Sequence, residues 1–316
     1  MGIYRGAVPG ASIAVLKAGN AVVRRAYGLA NVEEQEAATP ATNYRLASMT
    51  KQFTAAAILL LAEDGVLSID DTARQWLPTL PYSANEVLVR HLLAHTSGLV
   101  DFEDLIAQGS CTQLHDADVL ALLAAQDRSY FPPGTRFRYG NSGYILLALI
   151  VARASGAGFA AFLRRRIFEP LGMQYTVAFE AGISQVAQRA FGYGNFGGSW
   201  ERTDQDLTSA TLGDGGIYSS IDDLAKWDAA LYDSRLLRPE SLRLAFASAA
   251  ASDDPAVRYG FGWRLTGDAL WHSGESIGFR NVIVRYPQRR TTVIILTNRG
   301  SPEPYPTALA IAEISR

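Results

Sequence analysis

Residues 44–71 read YRLASMTKQFTAAAILLLAEDGVLSIDD, and the centre of this stretch sets the architecture around it. From Ser48 to Asp64 the pattern is helical, and Gly65 supplies a natural C-terminal stop. Ala55, Ala56, Ile58, Leu59 and Leu60 make that helix apolar on nearly every side, so other elements must enclose it. Ser48 and Lys51, three residues apart at its mouth, fall on the same helical face. The N-terminus of the helix offers unpaired N–H groups and positive potential to a developing oxyanion. A hydroxyl and an amine so placed form a candidate nucleophile beside a candidate base. The plain alternative makes Ser48 a helix cap and Lys51 a first-turn surface residue. The apolar helix leaves Lys51 little solvent to occupy and argues against it.

Outward from this helix the pattern changes character. Residues 11–28 alternate around Ala18-Gly19-Asn20 and predict a β-hairpin. Residues 70–170 are mostly helical, at 86–95, 117–126, 144–154 and 159–168, with breakers such as Phe131-Pro132-Pro133-Gly134 between them. The stretch 180–216 is rich in Gly, Ser and Thr and reads as loops, ahead of a helix at 221–231. Strand-like segments return at 259–265, 269–272, 281–286 and 292–296, before a last helix at 306–314. The economical fold is α+β, an α/β sandwich: an antiparallel sheet flanked by helices and shared by both ends of the chain, with an inserted helical lobe. One domain over 1–316 is expected, its α/β lobe from 1–75 plus 210–316 and its helical lobe from 76–209.

Composition removes several function classes. The chain has 316 residues, 29 Lys plus Arg against 31 Asp plus Glu and a net charge of −2, so no basic field favours nucleic acid. The longest apolar runs fall well short of the roughly 20 residues of a membrane span. Cys111 is the only cysteine, which excludes an internal disulfide. His91 and His95 share a helical face but lack the glutamate and third ligand of a zinc site, so no metal is expected. The opening residues carry no leader pattern. An exported location is expected if a leader was removed upstream, a cytoplasmic one if the chain is complete as given. Only three cations are lysines, Lys17, Lys51 and Lys226. Arginine cannot lose its proton in a protein, so the one lysine in an apolar segment is a candidate for proton chemistry.

The segment 44–71 resembles the nucleophile region of the serine penicillin-recognising enzymes: class C β-lactamases, DD-peptidases, D-aminopeptidases and family VIII esterases. The likeness continues in order through HLLAHTSGL (91–99), FPPGTRFRYGNSGYILLALIVARASG (131–156), LGDGGIYSSIDDLAKW (212–227) and HSGESIGF (272–279). It implies a β-lactamase/transpeptidase-like fold and a cofactor-free serine hydrolase acting on a small-molecule acyl substrate. In that reading Ser48 is the nucleophile, and Lys51 and Tyr139 handle its proton. Asn141 hydrogen-bonds the acyl side of the substrate.

The family's Tyr-x-Asn motif occurs twice, as Tyr139-Gly140-Asn141 and Tyr193-Gly194-Asn195. The first, before an apolar helix, matches the family context; the second sits among glycines and reads as a flexible loop. The family's Lys-Thr-Gly is replaced by His272-Ser273-Gly274. Histidine is mostly neutral near pH 7, so carboxylate-bearing substrates should be held less strongly. The residue after this glycine is expected to offer its N–H to the oxyanion, making Glu275 N and Ser48 N the candidate hole; the Glu275 side chain is expected at a solvated rim. An esterase, amidase or D-aminopeptidase leads. A β-lactamase or DD-carboxypeptidase, and a catalytically silent scaffold, are the alternatives. The string Gly274-Glu275-Ser276-Ile277-Gly278 also matches the nucleophile elbow of α/β-hydrolases. That elbow needs a helix after its serine and a histidine downstream, and neither is present. Oligomeric state is left open.

Overall fold

Three strands of nearly unbroken apolar sequence form the centre of the molecule. In the computed structural model, which describes residues 2–315, eight strands make one antiparallel sheet. They are β1 (Ala11–Lys17), β2 (Asn20–Tyr27), β3 (Ala250–Ala251), β4 (Arg258–Tyr259), β5 (Arg264–Thr266), β6 (Ala269–Ser276), β7 (Phe279–Tyr286) and β8 (Thr291–Thr297). Their order is β3-β4-β5-β6-β7-β8-β1-β2. The two ends of the chain meet where β1 pairs with β8, Ile13 opposite Ile295 and Val15 opposite Val293.

Side chains alternate between two cores. Ala14, Leu16, Ile283, Ile294 and Leu296 face the larger one. Ile13, Val15, Val282, Val284, Val293 and Ile295 face the C-terminal helix, where they meet Ala308 and Ala312. A sheet covered on both faces has no polar side to show, which is why these strands read as continuous apolar runs.

The larger core is built on α1 (Lys51–Glu63), with α2 (Asp116–Ala124), α3 (Ser142–Ser155) and α4 (Ile221–Ala230) around it. Every residue of α1 from Lys51 to Leu61 is buried. Phe53 lies 5.7 Å from the Phe168 ring and 4.4 Å from Trp227. Each fully buried Leu, Ile or Phe there contributes about 1.5–3 kcal/mol. At the end of α3, Gly156 takes φ +67 and stops the helix. Among the described residues no single helix is long and apolar enough to cross a membrane.

Three expectations are corrected. The strand expected at 259–265 is two short strands, because Gly260-Phe261-Gly262 bends away from the sheet. Gly262 has φ +76, and a Cβ there would lie 2.7 Å from the Lys51 carbonyl oxygen, so the bend brings this segment against the start of α1. The expected flexible loop at Tyr193-Gly194-Asn195 is a strand, Tyr193–Phe196, paired with Ser199–Arg202. Gly197 and Gly198, at φ +61 and +93, make its turn. Tyr193 is buried, with its hydroxyl 2.8 Å from Val32 N and 2.5 Å from Glu33 Oε2. The helix expected at 86–95 is only Val89–Leu93.

Candidate active site

Ser48 sits in a short 3₁₀ turn, Ala47–Thr50, that leads directly into α1. Ala47 occupies the left-handed region at φ +49, a conformation that costs a non-glycine residue on the order of 1 kcal/mol or more. Glycines permit the crowding around it. Gly215 lies behind Ala47, where a Cβ would touch its Cα at 3.6 Å. Gly274 of β6 lies on the other side, where a Cβ would fall 1.9 Å from the Leu46 carbonyl oxygen. The strand carrying His272, Ser273 and Glu275 therefore passes directly beside the serine turn.

Lys51 is fully buried. Its Nζ donates to Ser48 Oγ at 3.1 Å, Asn141 Oδ1 at 2.8 Å and the Asp214 carbonyl oxygen at 3.1 Å. These three acceptors match the three donors of an ammonium group. The Tyr139 ring stands 5.0 Å from the same nitrogen and the Tyr144 ring 5.6 Å. Ser48, Lys51, Tyr139 and Asn141, drawn from two distant parts of the chain, thus converge on one point. The carboxylate of Asp101 fixes the second part: its Oδ2 accepts from Asn141 N at 2.8 Å. A Cβ on Gly140 would strike that same oxygen at 2.2 Å.

His272 is buried with both ring nitrogens engaged. Nδ1 lies 2.6 Å from the Ser273 carbonyl oxygen and Nε2 3.1 Å from the Tyr259 hydroxyl. The carbonyl can only accept, so Nδ1 carries the proton and Nε2 accepts from the tyrosine. Burial, then the nearby Arg264 cation, holds the His272 pKa well below the usual imidazole value, so the ring is neutral at pH 7. Glu275 is exposed and its carboxylate pairs with Arg280. Ser276 ends β6 and β7 follows at Phe279, so the serine of the G-x-S-x-G string sits at a hairpin and not before a helix.

The beta-lactamase family model matches residues 3–315. The chain belongs to the beta-lactamase family. Penicillin-binding protein 4* of Bacillus subtilis is 32% identical over 94% of this chain and 70% of its own length. The D-aminopeptidase of Gluconobacter oxydans is 30% identical over 96% of this chain and 58% of its own. The chain therefore spans between about half and three quarters of these relatives. Among solved structures, the D-amino acid amidase of Ochrobactrum anthropi complexed with D-phenylalanine superposes with a TM-score of 0.84 at 26% identity, covering 98% of this chain and 95% of that one. The family is one of serine hydrolases, and these neighbours fix the β-lactamase/transpeptidase-like fold.

Five side chains that the sequence reading did not assign to the site also belong to this beta-lactamase-family site. His95, buried and at φ +57, lies 4.4 Å from the Tyr139 ring and 4.7 Å from the Tyr259 ring. Burial, then the charges of Lys51, His272 and Arg264, keeps its pKa well below the usual value. Tyr259 holds His272, and Arg264 Cζ stands 5.0 Å from the Tyr139 ring. Glu103 Oε1 accepts from Asn141 Nδ2 at 2.8 Å. The buried Asp214 lends its carbonyl to Lys51, and burial raises its own carboxyl pKa against the opposing pull of Lys51. His95 and Asp214 lie within the family-like segments 91–99 and 212–227, and for Tyr259 and Arg264 the signal was the string Tyr-Gly-Phe-Gly-Trp-Arg at 259–264, a glycine pair interrupting a strand.

Proposed function

We propose that this chain is a cofactor-free serine hydrolase working through an acyl-enzyme on small ester, amide or D-amino-acid substrates. One observation carries the reading. A lysine with no access to water donates to Ser48 Oγ, and its other two hydrogen bonds go to neutral oxygens. Ser48 Oγ attacks the substrate carbonyl carbon while its proton passes to the Lys51–Tyr139 pair. The main-chain N–H groups of Ser48 and Glu275 steady the oxyanion. Collapse of the tetrahedral intermediate breaks the bond to the leaving group, which takes that proton. Water then attacks the Ser48 ester, giving its proton to the same pair, which returns it to Ser48 Oγ as the ester bond breaks and the acid leaves. The D-aminopeptidase and D-amino acid amidase similarities support D-aminoacyl substrates.

The test is Ser48→Ala. Turnover of para-nitrophenyl esters and D-aminoacyl amides is expected to fall by at least about 10⁴-fold, and labelling by a fluorophosphonate to vanish. Retained labelling overturns the reading.

Arg264 favours a second reading, the β-lactamase or DD-carboxypeptidase one. His272 is neutral, but Arg264 brings a permanent positive charge beside Tyr139, with no ion pair among the described residues. A carboxylate on the leaving-group side would find it there. Mass spectrometry of the protein with nitrocefin or labelled penicillin checks this: an adduct on Ser48 supports it, and none at high drug concentration excludes it.

A further inference from the structure

Tyr139 is held less tightly than the groups around it. Among the described residues its hydroxyl has no hydrogen-bond partner, so the phenol is placed by its main chain and by what touches its ring. The main chain is pinned on either side: Arg138 N donates to the His95 carbonyl oxygen at 2.9 Å, and Asn141 N to Asp101 Oδ2 at 2.8 Å. Three rings stand against the phenol, with centroids at 4.4 Å for His95, 6.1 Å for His272 and 6.2 Å for Tyr259. His95 is the closest, and its carbonyl holds the same segment.

Two features of His95 are unfavourable in themselves. Its φ of +57 lies in the left-handed region, and its Nε2 is buried with no hydrogen-bond partner. The left-handed region admits histidine more readily than the bulkier ring-bearing residues. An imidazole is thus the ring that this turn can carry. Burial, and then the nearby positive charges, keep it neutral, so it meets the phenol as an uncharged plate. Its own footing is in the core. The ring lies 5.1 Å from that of Tyr144, which is fully buried and whose hydroxyl donates to the Leu93 carbonyl oxygen at 2.8 Å.

We propose that His95 is a positioning residue for Tyr139: its ring fixes the phenol where a proton can pass between it, Ser48 and Lys51. This deepens the serine-hydrolase reading above and rests on it. The role is steric, and it is exacting, since misplacing a catalytic group by about 1 Å costs on the order of 10²-fold in rate.

The experiment separates the ring from the turn. His95→Asn keeps a residue suited to the left-handed region and removes the ring, whereas His95→Phe keeps a ring and strains the turn. Both leave the carbonyl that holds Arg138 N. Turnover of para-nitrophenyl esters is measured per Ser48 site labelled to completion by a fluorophosphonate. His95→Asn is expected to lower kcat by roughly 30- to 100-fold with KM little changed, and its unfolding midpoint to stay within about 4 °C of wild type. His95→Phe is expected to recover at least about tenfold of that loss while unfolding at a lower temperature. In a Tyr139→Phe background, His95→Asn should lower kcat by less than about threefold more, because the hydroxyl it positions is gone. An equal loss in both backgrounds, a His95→Phe as slow as His95→Asn, or a His95→Asn with wild-type kcat overturns the proposal and leaves the serine chemistry standing. A wild type that is not labelled at Ser48, or a Tyr139→Phe with full activity, is instead the failure of the underlying reading and removes the proposal with it.

Discussion

Arg285 and Lys51 are both 0% exposed, yet the protein surrounds them with different chemistry. Arg285 Nε lies 2.5 Å from Asp228 Oδ1, and the same oxygen accepts from the Thr292 hydroxyl at 2.8 Å. The guanidinium also faces the rings of Tyr232 at 4.7 Å and Trp263 at 5.6 Å. Its partner is a carboxylate and its charge is permanent. Lys51 meets a hydroxyl, an amide oxygen and a main-chain carbonyl. None of these oxygens carries a formal charge. A buried cation with a carboxylate partner is a fixed part of the fold. Lys51 instead spends its hydrogen bonds on oxygens of the serine turn and of two other segments that line the candidate site.

The contrast yields measurable differences. Lys51→Met should show the largest effect: kcat/KM for ester and amide substrates falls by about 10³–10⁴-fold, while the unfolding midpoint stays within about 4 °C of wild type. A collapse of the midpoint would make Lys51 a structural cation like Arg285 and erase the distinction. Asp228→Ala comes next. It strands the Arg285 guanidinium in the core and should cost about 3–5 kcal/mol in urea unfolding, with activity per folded molecule retained. The smallest effect belongs to an ion pair of similar chemistry placed in solvent. Arg24 Nε and Nη2 grip Asp222 at 2.5 and 2.6 Å, with the two side chains 53% and 29% exposed. Arg24→Ala should cost no more than about 1 kcal/mol, and less at high salt. A loss as large as that of Asp228→Ala would show that burial does not separate the two pairs.

The same comparison explains what could be read from the sequence. Lys51 was legible because the helix it opens is apolar on nearly every side, leaving little room for water. Arg285 stands in FRNVIVRY, where an arginine in a strand reads as a surface charge; its partner is 57 residues away on α4, and local spacing holds no trace of it. Glu103, Asp214 and Arg264 were missed for the same reason, since each reaches the site from a different segment. The sheet was legible in the apolar runs of β1, β7 and β8 and illegible at β4 and β5, where Gly260-Phe261-Gly262 bends toward α1. The hairpin at 193–202 was hidden by its own composition: glycine counts read as looseness, while Gly197 and Gly198 shape a tight turn.

Gly274 limits how this part of the sheet can change. With the Leu46 carbonyl only 1.9 Å from where its Cβ would be, a side chain at this position would lever β6 off the serine turn and take the neighbouring main-chain donor with it. Substitution at position 274 is therefore closed off by the main chain of Leu46, whereas the partly exposed side chain at 273 and the exposed one at 275 meet no such limit.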